Sequence, residues 1–246
     1  MILRRKQLGY IATPRLGIGR REAAGGDPHF ANVVLLALNE SGADGSTSFD
    51  DASSSGHTIT PSGGAQWDTA QFPTGLMSSG LLDGTGDYWT VNGHSDFNFG
   101  TGDFTVEFFL RTGRSARQDL FTGNLPNGNV DNAYTIISGL SSADELQLYE
   151  KFTLRINGTY ALDDSAWHHI ALSRDGNSVR LFADGTQVGS TYTTGFSYGN
   201  DTNQLGIGFL TDGNAVNGHM ASVRLTKGVA RYAGAFTPPS LPLPTS

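Results

Sequence analysis

Apolar and polar positions alternate with a period of two along Phe104–Arg111, placing Phe104, Val106, Phe108 and Leu110 on one side and Thr105, Glu107, Phe109 and Arg111 on the other. Successive side chains of a strand point to opposite faces, so this pattern predicts a half-buried β-strand. Just upstream, Asp83-Gly84-Thr85-Gly86-Asp87 has turn chemistry, because glycine reaches positive φ without strain and aspartate bonds its own backbone. Tyr88-Trp89-Thr90-Val91 follows with high strand propensity. Residues 81–111 therefore read as strand, turn, strand in one antiparallel unit, around which the remainder is arranged.

The same signals recur along the chain. His29–Leu38, a short apolar segment bounded by Asn39-Glu40-Ser41-Gly42, predicts a buried strand that opens the fold. Residues 39–80 are polar, with Phe49, Ile59, Trp67 and Phe72 as isolated anchors for short strands and loops. Residues 112–131 read as irregular. Ala133–Ser138, Glu145–Tyr149 and Phe152–Asn157 are the next candidate strands, and Asn157-Gly158 is a hairpin turn signal. Trp167–Arg174, Ser178–Ala183 and Thr186–Val188, separated by Asp175-Gly176-Asn177 and Asp184-Gly185, predict a three-strand meander. Leu205–Phe209 and Met220–Thr226 complete the set, and prolines 238, 239, 242 and 244 exclude further ladder bonds. Ten or more short strands argue for an all-β, two-sheet antiparallel sandwich.

Composition supports this and narrows the chemistry. Among 246 residues, 33 are Gly and only 16% are charged, which suits short strands joined by tight turns. Cysteine is absent, so neither disulfides nor thiolate metal sites exist. The longest apolar run is Val33–Leu38, far below the roughly 20 residues of a membrane helix. No apolar run follows the basic start as in a signal peptide, so a soluble chain that is not Sec-exported is expected.

Residues 1–21 hold Arg4, Arg5, Lys6, Arg15, Arg20 and Arg21 and no acid, a charge of +6. The rest carries 10 basic and 23 acidic residues, or −13. We therefore divide the chain into a basic arm, 1–29, extended and containing Gly and Pro, and a body, 30–246. The arm is suited to an acidic partner surface. Six cations with few aromatics make nucleic acid an unlikely partner.

Several motifs together resemble a laminin-G-like domain of the concanavalin A-like jelly-roll superfamily, in the form found in tailed-bacteriophage virion proteins. They are VVLLALNESGADGSTSFDDASSSGHTIT, LLDGTGDYWTV, HSDFNFGTGDFTVEFFLR, WHHIALSRDGNSVRLFADGTQVG and HMASVRLTKGVARYAGAFTPP. The resemblance covers most of 30–239 and implies a non-enzymatic structural component of a virion, in its capsid decoration or tail. It further implies assembly in the host cytoplasm, homo-oligomerisation, and docking on other virion proteins through the arm. The alternative is a carbohydrate-binding adhesion module for host-surface glycans. Where relatives carry an acidic pair in the late strand, this chain has Ala221-Ser222.

Glucanases of the superfamily need two carboxylates on one strand face, about 5 Å apart for retaining cleavage. Only five Glu are present, at 22, 40, 107, 145 and 150, and none lies in a Glu-x-Asp-x-x-Glu pattern. No catalytic residue is expected. Gly195-Phe196-Ser197-Tyr198-Gly199 has nucleophile-elbow spacing, but a loop sequence follows where a helix is required. Asn127-Gly128-Asn129-Val130-Asp131 opens like a calcium loop and lacks the later bidentate acid, so Asn127, Asn129 and Asp131 are weak Ca2+ candidates and no cofactor is assigned. His168 and His169 face opposite sides of a strand, and His29, His57, His94 and His219 show no metal-ligand spacing. For glycan binding at a loop rim, the candidates are Trp67, Trp89, Tyr192 and Tyr198, with Asp201, Asn203, Asp212 and Asn214 as polar neighbours.

Overall fold

A computed structural model describes residues 26–125, 131–139, 142, 144–199, 201–209 and 213–246. Fifteen strands run in the order β1 (Val33–Ala37), β2 (Ile59–Ser62), β3 (Gln66–Asp68), β4 (Ser79–Asp83), β5 (Tyr88–Val91), β6 (Phe104–Thr112), β7 (Gln118–Leu125), β8 (Tyr134–Ser138), β9 (Glu145–Glu150), β10 (Thr153–Thr159), β11 (Trp167–Asp175), β12 (Ser178–Ala183), β13 (Thr186–Thr193), β14 (Gln204–Ile207) and β15 (Asn217–Lys227). The only helical elements described are two 3-10 turns, Phe30–Asn32 and Ser95–Phe97. None of the described helices is long and apolar enough to cross a membrane.

The strands form two antiparallel sheets packed as a jelly-roll sandwich. One has eight strands in the order β13-β12-β11-β6-β15-β4-β3, with β1 also paired to β15; the other has seven, β10-β9-β8-β7-β14-β5-β2. The inward residues of both make one core, including Phe104, Val106, Phe108 and Leu110 from β6 and Phe121, Ile136, Leu148 and Ile207 from the opposite sheet. The predicted meander is β11-β12-β13.

The strand-turn-strand unit is corrected. β4 lies in the eight-stranded sheet and β5 in the seven-stranded one, so the glycine turn between them carries the chain across the sandwich instead of closing a hairpin. Gly84 and Gly86 have φ of 84° and 78°, which only glycine reaches cheaply. β6 is also buried on both faces through Phe108, not half-buried. The polar set on its outer face is covered by the C-terminal segment. There the Tyr232 hydroxyl donates to Glu107 at 2.7 Å, and the Tyr232 and Phe236 rings stack at 3.6 Å.

Two further expectations differ. β7 falls inside the stretch read as irregular; its pairing to β8 contains a bulge between Asp119 and Phe121 that breaks strict alternation and hides the period. Asn157-Gly158 is not a turn but lies within β10. The β9–β10 reversal is made by Lys151 and Phe152 at φ of 48° and 60°.

Candidate functional site

The outer faces of the two sheets are unlike. That of the eight-stranded sheet is closed by chain: Arg231 and Arg224 hold the Asp27 carboxylate, Phe236 packs edge-on to Phe182 and His169, and Leu243 joins Val33 and Leu36 in a small apolar cluster. The face of the seven-stranded sheet carries the convergent polar groups.

Cross-strand partners share a face. The register therefore aligns Thr90, Gly206, Thr122, Thr135, Tyr149 and Leu154 across β5, β14, β7, β8, β9 and β10, opposite the core-facing Trp89, Ile207, Phe121, Ile136 and Leu148. A second row is Asp119, Ile137, Gln147 and Asn157. The bulge in β7 is what brings Asp119 onto the same face as Thr122.

These groups form a hydrogen-bonding cluster. The Gln147 amide donates to Asn157 Oδ1 at 3.1 Å and to Glu145 Oε2 at 3.3 Å, and Arg117 Nε donates to Asp119 Oδ1 at 3.0 Å. Thr122, Thr135 and Gln147 are buried although they point outward, and Thr122 Oγ1 and Gln147 Oε1 have no partner among the described residues. Tyr149 is half-buried; burial pushes its phenol pKa up, and the Glu145 charge adds to this against the opposing Arg117. At the β5 side, half-buried Tyr88 stacks on Phe209 at 4.4 Å. Beyond Tyr149, the β9–β10 hairpin exposes Phe152 and Leu154.

Most of the aromatics expected at a rim are elsewhere. Trp67, Trp89 and Tyr198 are corrected to core residues, 4%, 0% and 0% exposed, because each sits at an inward position of its segment. Trp67 donates its indole N–H to the Ser48 carbonyl at 2.8 Å, and Tyr198 donates to Glu150. Tyr192 is half-buried, its hydroxyl on Glu150 at 3.3 Å and its ring under the Arg155 guanidinium at 5.5 Å. Asn214 adjoins the polar face, its carbonyl accepting the Asp119 N–H at 2.8 Å. Asp201 and Asn203 precede β14. Asp212, Asn127, Asn129 and the arm cations Arg4, Arg5, Lys6, Arg15, Arg20 and Arg21 lie outside the described residues. Asp131 is exposed and pairs with Lys151.

Arg117, Asp119, Gln147 and Tyr149 were not singled out from sequence. The available signal was the alternation in Glu145-Leu146-Gln147-Leu148-Tyr149, which sorts a polar set from a leucine set. Glu107, the one acid on the motif strand, is fully buried between His169 Nε2 at 3.0 Å and Arg224 at 2.8 Å. It is enclosed in an ion-pair network and cannot meet a substrate.

Residues 83–231 match the Concanavalin A-like lectin/glucanases superfamily. No curated protein matches the chain. Among solved structures the fold is similar to the binding domain of Paraclostridial Mosquitocidal Protein 1, with a TM-score of 0.59 and 15% identity over 81% of this chain and 50% of that one. The chain thus spans half the length of that binding domain. It is also similar to Domain 4 of AbnA, a GH43 extracellular arabinanase from Geobacillus stearothermophilus, in complex with arabinotriose (TM-score 0.57, 14% identity, 81% of this chain and 94% of that one). A third is the binding domain of Botulinum Neurotoxin DC in complex with SialylT (TM-score 0.56, 11% identity, 81% and 49%). At these identities the likeness is one of fold.

Proposed function

The chain belongs to the concanavalin A-like lectin/glucanases superfamily, and from that membership we propose that it is a non-enzymatic carbohydrate-binding adhesion module, holding a glycan on the outer face of its seven-stranded sheet. The observation that carries this reading is the polar cluster on that face, in which exposed Asn157 and half-buried Arg117, Glu145 and Tyr149 reach solvent around the Gln147–Asn157 and Arg117–Asp119 hydrogen bonds. Sugar hydroxyls both donate and accept, so they can bond the amide, carboxylate and guanidinium groups that reach this surface. Tyr149 at one end and the Tyr88–Phe209 stack at the other offer flat apolar faces for the C–H side of a pyranose or furanose ring. Two solved structures of this fold, the arabinanase domain with arabinotriose and the toxin domain with SialylT, support the class of ligand.

A glycan-panel assay on the full chain tests this. Saturable binding to a related set of sugars is expected, weakened at least tenfold by Tyr149→Ala and by Gln147→Ala. No binding across the panel, or binding indifferent to both substitutions, contradicts the reading.

The contrast between residues 1–21 at +6 and residues 22–246 at −13 favours a second, compatible reading, in which the module is displayed on a virion and docked through its arm, residues 1–29. The sequence resemblance is its other support. Removing residues 1–26 separates the two: glycan binding survives under the first reading, and attachment to the particle is lost under the second. If attachment persists without the arm, the docking role is refuted.

A further inference from the structure

We propose that His57, His94 and Asp96 form a binding site for one divalent transition-metal ion of the zinc class, beside the β2–β5 edge of the seven-stranded sheet. His57 lies in the loop leading to β2. His94 caps the 3-10 turn Ser95–Phe97 that follows β5, and Asp96 lies within that turn. Thirty-nine residues separate His57 from Asp96, so the chain spacing conceals what the fold brings together.

The distances fit a tetrahedral ion. His57 Nε2 is 3.0 Å and His94 Nδ1 is 3.3 Å from Asp96 Oδ2, and the three ligand atoms lie within 4.8 Å of one another. Bonds of about 2.0–2.2 Å at the tetrahedral angle place ligand atoms about 3.3 Å apart. This is the one such group of three among the described residues. Two imidazoles and one carboxylate suit zinc and its neighbours, whereas calcium and magnesium call for oxygen.

The ligands are held before any ion arrives. The His57 N–H donates to Asp51 Oδ2 at 2.8 Å and its ring packs on Phe97 at 4.7 Å, while Ser55 Oγ donates to Asp96 Oδ2 at 2.8 Å. Such outer contacts orient metal ligands. The Asp96 N–H donates to His94 Nδ1 at 3.2 Å, a cap that this nitrogen gives up when its lone pair turns to an ion. The His94 side chain is 52% exposed and that of Asp96 26%, which leaves the fourth position facing solvent for water or an oxygen ligand.

The plainer alternative, two histidines neutralising one carboxylate, is separated by titrating the chelator-stripped full chain with zinc, and with cobalt as a spectroscopic probe. The proposal expects one ion per chain and a tetrahedral cobalt spectrum. Asp96→Asn and His94→Asn should each weaken binding at least tenfold, and His29→Ala should leave it unchanged. Asparagine retains the capping oxygen at position 94, so the metal-free melting temperature of His94→Asn should match that of the parent. Failure to bind one equivalent, or equal affinity in Asp96→Asn, His94→Asn and the parent, overturns the proposal. Neither outcome bears on glycan binding at the sheet face.

Discussion

Glu107 is a carboxylate removed from water, and three side chains keep it charged there. Burial by itself would raise its pKa; the His169 hydrogen bond, the charges of Arg224 and His169 and the Tyr232 hydroxyl override that and hold it at about 2. A carboxyl depressed from 4.5 to about 2 contributes stability that is complete above its unfolded pKa and is lost as pH falls from 4.5 through 2. Unfolding by urea should therefore become easier across that window, and the dependence should be much flatter in Glu107→Gln. Removing the partner altogether in Glu107→Ala should cost about 3–5 kcal/mol at neutral pH, because buried Arg224 and partly buried Arg231 are left with one carboxylate, Asp27, between them. A loss below about 1 kcal/mol would show that the network is not a structural centre. His168 works at the other end of the scale. Burial lowers its pKa, but hydrogen bonds to Asp184 and Asp164 raise it on balance, so its contribution is full below pH 6.5 and fades as pH rises through the folded value. At this scale the sequence was least readable. Trp67, Trp89 and Tyr198 have the chemistry of sugar platforms, and their types cannot reveal that each faces the core.

Among the elements, the β9–β10 hairpin stands out for keeping Lys151 and Phe152 in the left-handed region, where side chains are disfavoured by about 1–2 kcal/mol each. An Asn-Gly turn would satisfy the same geometry without that cost. We expect the double substitution Lys151→Asn, Phe152→Gly to raise stability by about 1–2 kcal/mol in chemical denaturation. The exposed Lys151–Asp131 pair offsets little of this. If Phe152 takes part in binding, the same variant binds glycan more weakly. An unchanged or lowered stability would mean that the turn is not strained. The hairpin also shows why local signals mislead. Asn157-Gly158 has the stronger turn sequence, yet it lies inside β10, paired with Gln147 and Leu146, where Gly158 meets Gly189 and Val188 too closely to admit a Cβ. Long strands with clean alternation, such as β6, and meanders punctuated by Asp-Gly, such as β11-β12-β13, were legible. β7 was not, because its bulge spoils the period.

As a whole, the molecule is a sandwich with one face sealed by its own C-terminal segment and the other furnished with polar groups. The all-β class was readable from strand count and turn chemistry, since both are local. Which outer face is closed was not, because it depends on contacts such as Tyr232 with Glu107, 125 residues apart. The candidate site was hidden for the same reason: its two rows are assembled from six and from four strands, and each strand contributes one unremarkable residue to a row. The central claim is that a glycan lies on this face. It is tested most directly by titrating the labelled full chain with the best ligand from the panel and following backbone amide shifts residue by residue. The account predicts that the largest changes fall at Thr122, Thr135, Gln147 and Tyr149, with the eight-stranded sheet unmoved. Saturable changes confined to other surfaces would contradict it.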